Sequence, residues 1–313
     1  FDDLYDYATV DELYEYLNEQ YGSSDDCADS SAKIKKITRT DKMAVSGNQK
    51  RMLFILENSP NRSLYNMPTC FRIKGNIDVE LLRDCFAEIV KNNEILHTIY
   101  SKECGCYYQK VLDDYNFDMK YIDEGKKSEE ELSEITASET NAEFDISSGL
   151  PIRITLIKYD DEAYHLILNA QHIACDGWTL GLLINDINAL YNGKLKNKDY
   201  TLPKKQFQYA DYASYEIQYL KSDEATQECE YWKNQLNGIK GILDFPIDKK
   251  RPDVQTYHGD SVFFELNGEV LDKAEKICRK YRITRSELFE SAYAILLYKY
   301  SGDSDICIGM PVA

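Results

Sequence analysis

The sequence has no apolar run near the roughly 18 to 20 residues that span a bilayer, and its opening Phe1-Asp2-Asp3-Leu4 is no secretory leader. Basic residues are in deficit, 37 Lys and Arg against 54 Asp and Glu, for a net charge of −17 at pH 7. Such a field repels polyanions. Nucleic-acid binding, membrane insertion and secretion are therefore excluded, and a cytoplasmic protein is expected. There is no internal repeat, and Gly75, Gly238 and Gly268 stand too far apart to make a phosphate loop. Metal-site spacing is missing as well. Cys104-Gly-Cys106 is the one close-set cysteine pair, and no Cys or His pair follows it at zinc-site spacing.

What is present is a globular chain. Hydrophobic residues make up 43% of the 313, with 25 Tyr and 11 Phe, which is too apolar for disorder. The length suits about two domains and a substantial core. Nine scattered cysteines read as reduced thiols, mostly buried filler.

Along the chain, Thr9 to Glu12 forms a capping box ahead of a short helix with Val10, Leu13, Tyr14, Leu17 and Tyr21 on one face. A small, acidic, polar stretch follows from Gly22 to Ala32, and residues 23–42 are read as a linker. Its basic end, Lys33 to Arg39, reads as solvated. The folded body begins at Met43, where Ser46 is positioned to cap a helix over 47–57. Strands are expected at 67–74, 98–100, 107–112, 152–158, 163–170, 261–266 and 306–312. Helices are expected at 79–93, 127–142, 179–191, within 207–235, and at 268–281 and 286–300. Helices and strands mix without a βαβ rhythm, so the class is α/β, or α+β, with a mixed sheet.

The chemistry concentrates in Gln171-His172-Ile-Ala-Cys175-Asp176-Gly177-Trp178-Thr179, a strand end, a loop and a helix start. An imidazole with an ordinary pKa near 6.5 can accept a proton at neutral pH, and a strand-to-helix junction holds it exposed yet rigid. Taken alone, the residues favour the plainer reading, His172 as a packed, hydrogen-bonded histidine and Asp176 as a helix cap. Cys175 between them is a conceivable thiolate nucleophile, but no cysteine-hydrolase signature surrounds it. His165 and His258 have no partner motif.

This stretch resembles the His-His-x-x-x-Asp-Gly motif of nonribosomal peptide synthetase condensation domains, which share the chloramphenicol acetyltransferase-like fold. Further stretches resemble that family in the same order. They are Ser46-Gly-Asn-Gln49-Lys-Arg51-Met-Leu-Phe, Asn92-Asn93-Glu94-Ile-Leu96-His97-Thr98-Ile-Tyr100, Tyr209-Ala-Asp211-Tyr-Ala, Tyr231-Trp232-Lys-Asn-Gln-Leu, and Tyr300 through Gly302, Asp305, Gly309 and Pro311 to Ala313.

The resemblance implies an acyltransferase that forms an amide bond between an acyl or peptidyl donor and an aminoacyl acceptor, as in peptide-antibiotic and other secondary metabolism. Both substrates hang on phosphopantetheine arms of upstream and downstream carrier (thiolation) domains, in an assembly line that also holds an adenylation domain. No cofactor is bound by the domain itself. His172 takes the place of the base or positioning residue, Asp176 a structural carboxylate, and Gly177 the tunnel wall; Trp178 completes the motif. Gln171 replaces the family's first histidine, and His97 the arginine expected to pair with Asp176.

Residues 1–22 resemble the last helix of a carrier protein. The resemblance further implies an N-terminal lobe over 43–240 and the start of a second over 241–313. Because family members are longer, the chain alone is expected to turn over poorly. The other readings are an epimerisation domain or another acyltransferase of the same fold, and a catalytically silent platform that binds carriers. Residues binding the substrates themselves are not legible.

Overall fold

The computed structural model describes residues 34–250, 252, 253, 256 and 259–310. The carrier-like helix at 1–22, linker residues 23–33, His258 and the closing Pro311-Val312-Ala313 lie outside the described residues. The described chain divides into two compact units, 34–226 and 227–310, with the division inside a helix, Asp223–Gln235.

The first unit is a mixed α/β structure built on two sheets. In chain order its elements are β1 (Met43–Ala44), α1 (Gly47–Asn58), β2 (Asn66–Lys74), α2 (Val79–Asn92), a 3₁₀ turn (Glu94–His97), β3 (Thr98–Glu103), β4 (Cys106–Val111) and β5 (Lys120–Asp123). They continue as α3 (Glu129–Asn141), β6 (Ile152–Asp160), β7 (Ala163–Gln171), α4 (Gly177–Lys196) and α5 (Tyr209–Tyr219), and the next helix, α6 (Asp223–Gln235), is the one that the division cuts. The small sheet runs β1-β4-β3. The large one runs β2-β7-β6-β5, antiparallel except for the parallel β5–β6 pair.

Side chains alternate across a strand, so each face of β6 and β7 meets a different layer. Ile154, Leu156, Leu166 and Leu168 join the main core with Leu82, Phe86 and Ile89 of α2 and Leu183, Ile187 and Leu190 of α4. Ile157 and Ile167 point the other way, against Leu132 of α3. Both faces being covered explains why β7 is buried almost throughout. The acidic α3 is thus solvated on one side only. Its C-terminal carbonyls accept from the amides of Asn66 and Asn169, whose Nδ2 atoms lie 2.9–3.1 Å from Thr140, Ala142 and Glu139 oxygens. These bonds satisfy acceptors that every helix end leaves open.

Several readings are corrected. Residues 261–266 and 306–310 form no strand. Among the described residues nothing offers them a ladder, and extended backbone without a partner gains no hydrogen bonds; Val262, Phe263 and Phe264 stay exposed. The unit containing them holds α7 (Gly268–Tyr281) and α8 (Arg285–Ser301), both as expected. The short β1 and the parallel β5 were not legible in the sequence. Of the eight described cysteines, only Cys85, Cys175 and Cys278 are buried; the other five are exposed, so the thiols are not mostly core filler. Arg39 is not simply solvated, because it pairs with Asp211 and Glu94.

Candidate active site

His172 follows directly on β7, and three loops gather at that end of the large sheet. The His172 backbone N–H donates to Tyr65 O at 2.9 Å, and the Gln171 N–H donates to Pro151 O at 2.8 Å. The imidazole is half-buried, with the Tyr65 ring tilted beside it at 6.1 Å. Its Nδ1 lies 2.8 Å from the carbonyl oxygen of Cys175. A carbonyl oxygen only accepts, so Nδ1 carries the proton of that bond and a neutral ring keeps its lone pair on Nε2.

Asp176 caps α4. Its Oδ1 accepts from the Thr179 backbone N–H at 2.7 Å and the Thr179 hydroxyl at 2.6 Å, and these bonds hold the carboxyl below its usual range. A charged cap at a helix N-terminus also meets the favourable end of the helix dipole. Gly177 is the first residue of α4, and a Cβ built on it meets nothing within 4 Å. Trp178 is 70% exposed beside it. The Gln171 side chain is buried and accepts from Ile173 N–H at 3.2 Å, so it braces the loop from within and does not face a substrate. Burial pushes the Cys175 thiol up to about 12, so it is not a thiolate nucleophile at neutral pH.

His97 does not join this group. Its Nδ1 bonds Leu112 O at 2.9 Å and its ring stacks on Tyr115 at 4.6 Å. The expected His97–Asp176 pair is therefore corrected: a short imidazole stays with its own β3–β4 surroundings, and Asp176 spends its acceptor on Thr179. Nor do Asn92 and Asn93 leave gaps. Asn93 Nδ2 caps α2 through Ile89 O, and Asn92 O accepts from Gln208 Nε2.

A buried polar chain unites three of the motif stretches behind the loop. Ser46 bonds the Tyr209 hydroxyl at 3.0 Å, and Gln49 Oε1 accepts from Ser46 N–H. Gln49 Nε2 in turn donates to the Tyr100 hydroxyl and to Gln109. Tyr100 is 3% exposed, and burial raises its pKa. The residue missed in the sequence is Arg39. It makes two bonds to Asp211, at 2.7 and 3.0 Å, and a third to Glu94 at 2.6 Å. A lone Arg at the end of a basic run gives no signal of such partners 55 and 172 positions away.

No group of three or more His, Cys, Asp or Glu side chains among the described residues is arranged to hold a metal. No described helix is long and apolar enough to cross a membrane.

The condensation-domain family model matches residues 39–313. A linear gramicidin synthase of Brevibacillus parabrevis is 29% identical over 314 residues, covering 99% of this chain and 6% of that protein. Surfactin synthase subunit 1 of Bacillus subtilis (strain 168) is 31% identical over 284 residues, covering 91% of this chain and 8% of that protein. The chain thus spans less than a tenth of the length of these curated relatives. Among solved structures, the teicoplanin-biosynthesis X-domain in complex with OxyB superposes with a TM-score of 0.76 at 21% identity, covering 86% of this chain and 59% of that one. The four-domain nonribosomal peptide synthetase AB3403 gives 0.71 at 21% identity, covering 86% of this chain and 20% of that one. At that identity the structures establish the shared fold.

Proposed function

The chain belongs to the condensation-domain family, and on that premise we propose that its His172 loop joins two carrier-tethered substrates through an amide bond. The observation that carries this reading is the 2.8 Å bond from His172 Nδ1 to Cys175 O. It leaves Nε2 as the acceptor on a half-buried imidazole held by a packed loop.

In the proposed step the α-amine of an aminoacyl thioester attacks the carbonyl carbon of a donor thioester. A C–N bond forms and the C–S bond breaks. The proton lost by the amine passes to His172 Nε2 and from there to the departing thiolate, so no net proton is consumed. The same imidazole N–H can meanwhile donate to the developing oxyanion. Asp176 acts at one remove by fixing the start of α4, and the missing side chain at Gly177 keeps the approach open. Both thioesters are supplied on phosphopantetheine arms of partner carrier domains beside an adenylation domain. Residues 43–240 and 241–313 are read as parts of two lobes, preceded by a carrier-like segment at 1–22.

The test loads two carrier proteins with aminoacyl groups and compares dipeptidyl product from the unaltered chain and from His172→Ala. General acid–base assistance contributes roughly 10²- to 10⁴-fold, so His172→Ala should lose about that much. Equal product from both proteins sinks the role of His172. Carrier binding with no product from either protein favours the silent platform instead.

A further inference from the structure

A cavity of about 470 Å³ lies in the unit 34–226, apart from the His172 imidazole. That is within the size range of small-molecule sites. Its floor is apolar: Leu53 and Leu56 from α1, Tyr100 from β3, and Phe144 and Ile146 from the loop before β6. Its rim is charged, and hydrogen bonding there is one-sided.

Glu57 accepts from Lys102 Nζ at 2.7 and 2.6 Å and from the Tyr107 hydroxyl at 2.5 Å. Asp145 accepts from the Ser147 N–H at 3.0 Å and from the Ser147 and Ser148 hydroxyls at 2.5 and 2.6 Å. Both rim carboxylates are therefore occupied as acceptors. The remaining cation, Arg62, makes no hydrogen bond or ion pair among the described residues, although its charge helps lower the Asp145 carboxyl. Its planar fork of N–H donors matches a carboxylate. The unmet capacity of the rim is donation next to an apolar floor.

We propose that this cavity is a binding site for a small amphipathic carboxylate, with the apolar chain on the floor and the carboxylate on Arg62. An alkylammonium ion offers donors only, and it meets rim carboxylates that each already accept three hydrogen bonds. The cavity lies close in the chain to one support of the His172 loop. Tyr65, three residues after Arg62, accepts the His172 N–H, and Ile146 O accepts the Tyr100 N–H. Binding at this cavity does not depend on acyl transfer.

Calorimetric titration of the 313-residue chain with octanoate, octylamine and 1-octanol tests the site. Octanoate should bind saturably, one to one, and about tenfold or more tighter than octylamine, the difference expected of one charge-assisted pair at a partly open rim. Arg62→Gln should reduce octanoate to the affinity of 1-octanol. Leu56→Trp, which fills the floor while leaving Arg62 in place, should abolish binding of octanoate and 1-octanol, with the melting temperature reporting that the chain is still folded. Absence of saturable octanoate binding overturns the proposal. So does octylamine binding as tightly as octanoate, or an unchanged octanoate affinity in Arg62→Gln.

Discussion

Arg39 grips both carboxylate oxygens of Asp211, at 2.7 and 3.0 Å, although 172 residues separate them. Asp211 is 1% exposed and also accepts the backbone N–H groups of Ile37 and Gln208. Arg39 in turn reaches Glu94, and Gln208 bonds both Glu94 N–H and Asn92 O. One ion-pair cluster therefore pins the entry segment, the turn before β3 and the start of α5 together.

Removing one partner of a buried pair leaves an uncompensated charge, which costs about 3–5 kcal/mol when the pair is fully buried. Arg39 keeps 27% of its side chain exposed, so Arg39→Ala should cost less, about 2 kcal/mol. Arg39→Lys keeps the charge and loses the two-pronged geometry, so it should fall between. Urea denaturation midpoints measure both, and an Arg39→Ala midpoint equal to that of the unaltered protein contradicts this account.

The same pair sets an acid limb. Burial alone would raise the Asp211 carboxyl, but the Arg39 and backbone bonds win and hold it down at about 2. A carboxyl lowered in the folded state stabilises above its unfolded value, near 3.9, and that contribution fades as pH falls toward 2. The full difference corresponds to roughly 2–3 kcal/mol. Asp211→Asn should therefore lower stability at pH 7 and flatten its decline between pH 4 and 2. An undiminished slope in the variant counts against the linkage.

Gly177→Ala separates folding from chemistry. The added methyl meets nothing within 4 Å, and alanine at a helix start gains up to about 0.5–1 kcal/mol over glycine. The melting temperature should hold or rise while amide formation drops. A variant that melts early, or that condenses at the full rate, refutes the idea that the bare Cα keeps the substrate path open.

Cysteine labelling offers a check that needs no substrate. Cys104 and Cys106 are exposed at the β3–β4 turn, whereas Cys175 is 3% exposed with its thiol pushed up to about 12. Iodoacetamide at pH 8, followed by peptide mapping, should modify the turn pair and spare Cys175 until the protein is unfolded. Cys175→Ala should leave His172 in place, because the bond uses the backbone carbonyl and not the sulfur.

Much of this protein is written in local pattern. The 3.6-residue spacing of Leu82, Cys85, Phe86, Ile89 and Val90 specifies α2, and the alternation in β6 and β7 specifies paired strands, because both periods follow from the geometry of a single segment. Ser46 and Asp176 were legible as helix caps for the same reason: a cap acts within three residues. The motif around His172 was legible as chemistry from its residue types and order. Tertiary structure alone decided the rest. The acceptor that orients His172 is a backbone oxygen, and every residue has one, so no sequence letter marks it. His97 was free to pair with Asp176 on paper, yet it is held by Leu112 and Tyr115 across the β3–β4 region. Residues 261–266 have the composition of a strand but no partner among the described residues, and a strand is made by its neighbour's hydrogen bonds as much as by its own side chains. Arg39 and Asp211 show the same limit: attraction depends on distance in space, and distance along the chain does not report it.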